Sequence, residues 1–382
     1  MKRLFFVFLF FNCFFLSSCT QGAELLLDEQ YATEEYLPAY DMQVNYSVNG
    51  TGGRICKAND VYYYADQQSG YIYYYDEKSE NSGKLCGKPE CDHAANTCNA
   101  YIGVWASTMQ VYDGYIYYIS ENGTLYRMDL TGNARESVMQ FVVANTMNLK
   151  VVLHRGYVYW SQLLQIVEDG RSKYHYILQQ APIGKKEKTK NVLEQTIETG
   201  IPLEYWWIQG NILYQYVADV YSLQDRIIVN FYKYDSATGQ LKVVEKGEDR
   251  WGTVSFAVDG DNIRKVQCNK LGEWRIVEGK QEIGVQLSNE LYKTYKVSKD
   301  RILEYREACK KDEPPTYRLL DFFGKVIKEG ILPRIDSVVG MYSCIGQDEK
   351  GFLLEIKGMG EDKIILVRVP YDDGEVKILI GI

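Results

Sequence analysis

A strand–turn–strand unit recurs seven times along this 382-residue chain, and the recurrence leaves few folds open. Its clearest copy runs Val111-Tyr-Asp-Gly-Tyr-Ile-Tyr-Tyr-Ile119, then Glu121-Asn-Gly123, then Leu125-Tyr-Arg-Met-Asp-Leu-Thr-Gly132. Related turns fall near residues 60, 113, 155, 209, 260, 299 and 349, spaced 39 to 54 residues apart. Each copy alternates β-branched or aromatic residues with polar ones between Gly, Asn and Asp turns, which is strand patterning. No long stretch carries an i, i+3, i+4, i+7 apolar stripe with caps, so helices are not expected. A four-stranded blade cannot bury both its faces alone, whereas blades stacked in a ring bury them all. The expectation is an all-β chain folded as a β-propeller of seven blades, each a four-stranded antiparallel sheet. The fifth copy is degenerate, which makes six and eight the neighbouring counts. Two sandwiches or one large barrel explain the spacing less well.

The unit Gly-Tyr-Ile-Tyr-Tyr (114–118) followed by Leu-Tyr-Arg-Met-Asp-Leu-Thr-Gly (125–132) resembles the YWTD-type propeller of low-density-lipoprotein receptors. Gly156-Tyr-Val-Tyr-Trp-Ser161 is similar. The closer resemblance is to bacterial lipoproteins with a receptor-like or TolB-like propeller, over residues 45–382. That family often carries a Cys-rich segment ending Cys-Asn-Ala, here residues 85–100. The YWTD tetrapeptide is missing from every blade, so receptor-style ligand rules are not carried over. The resemblance implies a fold and says little about function.

The amino terminus points to export. Lys2 and Arg3 precede an apolar run from Leu4 to Leu16, too short to span a bilayer and of signal-peptide length. Leu16-Ser17-Ser18-Cys19 then resembles the bacterial lipobox. That resemblance implies a signal peptide over 1–18, cleaved before an acylated Cys19, and a domain held on the extracytoplasmic face of the cell membrane. An ordinary secretory signal with a coincidental cysteine is the alternative. Residues 19–44, with Glu24, Asp28, Glu29, Glu34 and Glu35, read as an acidic tether to the propeller domain at 45–382.

Charge narrows the partners. The whole chain carries −8, and removal of Lys2 and Arg3 leaves 41 basic against 51 acidic residues. A phosphate-backbone binder needs the opposite excess, so no nucleic-acid partner is expected. Nothing electrostatic draws the body onto anionic lipid either, which leaves the acyl anchor as the membrane contact.

One segment concentrates chemistry. Cys86-Gly-Lys-Pro-Glu-Cys91-Asp-His93-Ala-Ala-Asn-Thr-Cys98 places three of nine Cys and one of three His in the link between the first two copies. Three thiolates and an imidazole suit tetrahedral Zn²⁺. The two-residue step from Cys91 to His93 strains ligation by both. The alternatives are a disulfide, with Cys56 as partner for an odd thiol, or free thiols. Cys268, Cys309 and Cys344 fall on separate strands and read as core.

Trp206-Trp207 could offer a sugar a stacking platform, although alternating strands more often bury such rings between blades. Asp259-Gly-Asp261-Asn262 and Asp372-Asp373-Gly374 are explained by turn chemistry. His154 and His175 sit in strand-like surroundings and read as structural. No nucleophile elbow, zincin, Walker or dinucleotide motif occurs, so no catalytic residue is assigned. The expected role is a non-catalytic binding or scaffolding module for an envelope protein, peptide or glycan. The alternative is a carbohydrate-active enzyme, a glycan hydrolase or lyase, with its site at the axial mouth of the ring.

Overall fold

The computed structural model describes residues 53–381, together with Tyr31, Glu35 and Leu37. Within that span 96, 104–106, 142–148, 169, 198–202, 222–225, 270, 288–292, 299, 308–312, 336–339 and 359–362 are not described. The signal segment, Cys19 and Cys309 lie outside the described residues.

Seven four-stranded antiparallel sheets form a ring, each built from four consecutive strands in sequence order. We number the blades 1 to 7, over 55–84, 107–140, 150–197, 203–249, 251–287, 293–331 and 340–381. The fifth copy, degenerate in sequence, forms a full four-stranded blade whose register shifts between Thr253 and Ser255 and again between Arg275 and Val277. Helix is confined to short 3-10 turns such as Lys186–Lys188 among the described residues. Every turn located by the repeat is the hairpin between the first and second strands of a blade. Gly114, Gly156, Gly210 and Gly260 in those hairpins have φ between +54° and +83°, a region closed to most side chains, which is why glycine marks them.

The first strands of neighbouring blades adjoin one another and line the axis. Most of their residues are buried, as in Trp251–Asp259, although Met341 and Ser343 in blade 7 are exposed; the outermost strand of blade 4, Gln240–Asp249, is exposed almost throughout. An inner strand buried on both faces loses the polar–apolar alternation of a half-buried one.

The seams between blades carry polar pins. Gln110 of blade 2 both donates to and accepts from the backbone of Leu153 in blade 3, at 2.6 and 3.0 Å. Thr253 N–H donates to the Tyr216 hydroxyl (3.2 Å), Val297 N–H to Ser255 (3.0 Å), and Cys344 N–H to Tyr305 (3.3 Å). Each bond lets one blade satisfy a buried backbone group of the next.

Among the described residues the ring closes without strand exchange, since blades 1 and 7 each contain only their own strands. Ion pairs and hydrogen bonds do the work instead. Buried Glu355 of blade 7 accepts from Arg54 and from the Tyr64 hydroxyl, and Asp348 accepts from Tyr62. Arg368 reaches Glu77 at 2.8 Å and Tyr62 at 2.9 Å, and Lys57 reaches Glu349 at 2.6 Å.

Candidate metal centre

Cys86, Cys91, His93 and Cys98 converge although they span thirteen residues of loop: one ligand atom from each lies within 4.8 Å of all the others. Backbone bonds to a single residue of blade 1 start the convergence. Leu85 N–H donates to Ile72 O (2.9 Å) and Ile72 N–H donates to Ala100 O (2.8 Å), so both ends of the loop are tied to Ile72. Cys86 follows one tie directly, and Cys98 precedes the other by two residues. Tyr71 pairs with Tyr101 in an isolated antiparallel bridge, and its hydroxyl donates to His93 O at 2.5 Å.

The middle of the loop turns on His93 itself, whose φ is +56°. That left-handed residue reverses the chain and brings Nδ1 to 3.3 Å from Cys98 Sγ, which relieves the strain expected from the two-residue step. Asp92 accepts the Ala94 N–H at 3.0 Å, and Ala94 O accepts the Cys98 N–H at 2.9 Å. These bonds fix the turn that delivers Cys98.

All three sulfurs receive an N–H from the residue two positions ahead. His93 N–H points to Cys91 Sγ at 3.4 Å, Lys88 N–H to Cys86 and Ala100 N–H to Cys98. Such donors stabilise thiolate over thiol. Burial opposes ionisation of Cys86, but the N–H groups of Lys88 and Asn99 and the Cys91 and Cys98 thiols hold its pKa below the ordinary value. Burial, with the neighbouring Cys86 and Cys91, pushes Cys98 up to about 11. Cys86 thus gives up its proton more readily than Cys98, and a dication held among them would favour the thiolate of both.

The donor set fits zinc. With Zn–S about 2.3 Å and Zn–N about 2.0 Å, a tetrahedron places its ligand atoms about 3.5–3.8 Å apart, within the 4.8 Å spread seen here. The six described cysteines, Cys56, Cys86, Cys91, Cys98, Cys268 and Cys344, are free thiols. Cys56 lies in the blade 1 core, apart from the cluster. Burial raises its thiol pKa far above the usual range.

The stacking platform proposed for Trp206 and Trp207 is corrected by their burial, at 3% and 4% exposure. Both stand on the inner strand Leu203–Gln209, closed on both faces. The Trp206 indole N–H donates to Glu204, and Trp207 packs on Phe256 with centroids 6.3 Å apart. Glu204 is the centre of a network that sequence reading missed. It accepts from Tyr176, from Ser161 (3.1 Å) and from Gln215 (3.3 Å), and pairs with Lys150 at 3.0 Å. His154 is fully buried, and His175 stands 3.4 Å from Glu194 on the neighbouring strand.

A second unforeseen feature is Arg155, in the first hairpin of blade 3 and fully buried. Its guanidinium donates to Tyr31 O and to Glu35 O, each at 2.6 Å. The Tyr31 ring also closes over Gly156, where an added Cβ would meet it at 3.4 Å. Tyr31 and Glu35, which precede the first blade, are therefore bound to the ring.

Sheet order and ring closure define a seven-bladed β-propeller with a Cys₃His loop between its first two blades. No protein-family model and no curated protein sequence matches the chain. Among solved structures it is similar to the uncomplexed acylaminoacyl peptidase of Pyrococcus horikoshii, at 8% identity and TM-score 0.50, over 89% of this chain and 54% of that one. It is also similar to the β-propeller domain of the Trilobed protease from Pyrococcus furiosus, at 9% identity and TM-score 0.47, over 91% and 97% of the two chains. The chain spans about half the length of the peptidase it matches. At 8% identity that likeness is one of fold alone.

Proposed function

We propose that this chain is an exported lipoprotein, anchored through Cys19 on the extracytoplasmic face, whose propeller is a non-catalytic binding or scaffolding module for an envelope protein, peptide or glycan. The observation that carries the reading is the state of the buried carboxylates. Of the six buried carboxylates among the described residues, Glu204, Glu304, Asp348 and Glu355 are held by cations and hydroxyls within or between blades, and Asp66 accepts the N–H groups of Gln68 and Ser69. Carboxylates so held are structural ties, and catalytic carboxylates instead face a substrate.

The long hairpin of blade 3 supports the same reading. Its strands Tyr157–Glu168 and Arg171–Pro182 are twelve residues each, and the first strand of the blade covers only 157–161. The uncovered part exposes Leu164, Ile166 and Val167, the last at 71%. Beyond position 165 the hairpin is two-stranded, since the fourth strand pairs only as far as Tyr174, and apolar side chains held in water on such a tip gain by contact with another molecule. The test places a photo-crosslinker at position 167 and, as control, at position 246 on blade 4, in intact cells. One discrete adduct from 167 and none from 246 supports the reading. Equal or absent adducts at both would sink it. Anchoring is tested by palmitate labelling, which Cys19→Ser should abolish.

The cysteine loop fits the same protein as a structural Zn²⁺ site held by Cys86, Cys91, His93 and Cys98. Three N–H···S donors and a neighbouring imidazole support metal over the disulfide alternative. Zinc content and free-thiol count on anaerobically purified residues 20–382 separate the two: one zinc with three protected thiols, or no metal with two thiols lost.

A further inference from the structure

We infer that zinc in this loop clamps blade 1 to blade 2, supplying at the ring's perimeter the cross-link that the polypeptide there does not; this rests on the zinc reading above. Blade 1 has the shortest outer strand of the seven, Ser82–Lys84, three residues against five to ten elsewhere. That outer strand covers 73–75 of the five-residue third strand and stops short of Ile72. The loop completes it through the two bonds to Ile72 and the Tyr71–Tyr101 bridge. On its other side the loop seats against the blade 2 turn 129–134. Asn99 Nδ2 donates to Gly132 O (3.1 Å) and Asn133 O (2.7 Å), and Arg135 donates to Tyr101 O (2.9 Å). The fit is close: a Cβ on Gly132 would lie 2.5 Å from Leu85 O, at φ +80°.

Within the turn, Asp129 accepts N–H bonds from Thr131 (3.0 Å), Asn133 (2.8 Å) and Ala134 (3.3 Å). The loop has little apolar surface to hold it in place. Between Leu85 and Ala100 its apolar side chains are, cysteines and one proline aside, those two residues and Ala94 and Ala95, and no regular strand or helix forms. A segment with so little to bury cannot offset its ordering entropy through packing. A metal held by four of its residues can. Asn99 follows the ligand Cys98 directly, so fixing the ligands fixes the residue that grips blade 2.

The experiment uses residues 20–382 purified with zinc and no chelator, with zinc content and hydrogen exchange as readouts. Chelation should speed exchange about tenfold both within 85–102 and in the 129–135 turn, and added zinc should reverse it. Asn99→Ala leaves all four ligands in place and removes the grip. Its zinc-loaded form should keep stoichiometric metal and a protected loop, with the 129–135 turn already exchanging fast. That variant decides the matter even if the metal-free ring unfolds as a whole. Absence of zinc from the parent protein would overturn the metal reading itself. Zinc present, with the 129–135 turn unmoved by Asn99→Ala, would overturn the clamp and leave the metal site standing.

Discussion

Arg54 and Glu355, 301 residues apart in the chain, meet as a buried ion pair that joins blade 1 to blade 7. Tyr64 shares the same carboxylate oxygen, and Lys357 stands 3.3 Å from the other. Among the described residues no backbone ladder crosses from blade 1 to blade 7, so this pair carries the junction.

Removal of one partner leaves the other charge buried and unpaired, which costs about 3–5 kcal/mol. Glu355→Leu should therefore lower the urea midpoint sharply. The double variant Arg54→Met/Glu355→Leu should recover a large part of the loss. If the double is as unstable as the single, the pair is not what closes the ring.

Glu204 carries a pH signature. Burial disfavours its charge, but Lys150, Tyr176 and the Trp206 indole outweigh burial and hold its pKa below the ordinary carboxylate value. A carboxyl depressed on folding stabilises the fold above its unfolded pKa, about 4.3, and loses that contribution as pH falls through the lower folded value. Thermal scans from pH 6 to pH 3 should show a steep loss below pH 4.3. Glu204→Gln should be less stable at pH 6 and show a flatter acid limb.

Lys296 acts in the opposite direction. It is 2% exposed on the inner strand of blade 6, and burial lowers its pKa to about 8 although Cys344 nearby opposes the shift. Keeping the ammonium there below pH 8 costs on the order of 3 kcal/mol. That cost fades between pH 8 and the ordinary lysine value. Lys296→Met should raise the melting temperature at pH 7, and its advantage should shrink toward pH 10.

Arg155 makes a prediction about proteolysis. Glu35 lies where the amino-terminal segment is bound, so a glutamate-specific protease should cut the parent chain after it slowly. Arg155→Gln should speed that cut while cleavage within the blades stays unchanged. Equal rates in both proteins would show that the two carbonyl bonds do not hold the segment.

The repeat was legible because its turns demand special backbone angles, and glycine, Asn or Asp at 59–60, 113–114, 210–211 and 260–261 announces them locally. The cysteine loop was legible for the same reason of locality. What could not be read were the partners of Glu355, Glu204 and Asn99, which come from other blades and obey no spacing. The favoured burial of Trp206 and Trp207 is what the structure shows, but the stacking alternative stayed open because Leu203–Gln209 is closed on both faces and no alternation distinguishes an outward ring from an inward one. Arg155 gave no signal either: its two acceptors are backbone carbonyls, and sequence does not mark those.

The hold of Arg155 on Tyr31 and Glu35 sets a leash length. With Cys19 acylated as proposed, only the twelve residues up to Tyr31 remain to bridge bilayer and ring, at most about 40 Å even fully stretched. The disc would hang close under its anchor with the first-hairpin face turned toward the lipid. The blade 3 arm, at the far end of the strands, would then sweep the space away from the membrane.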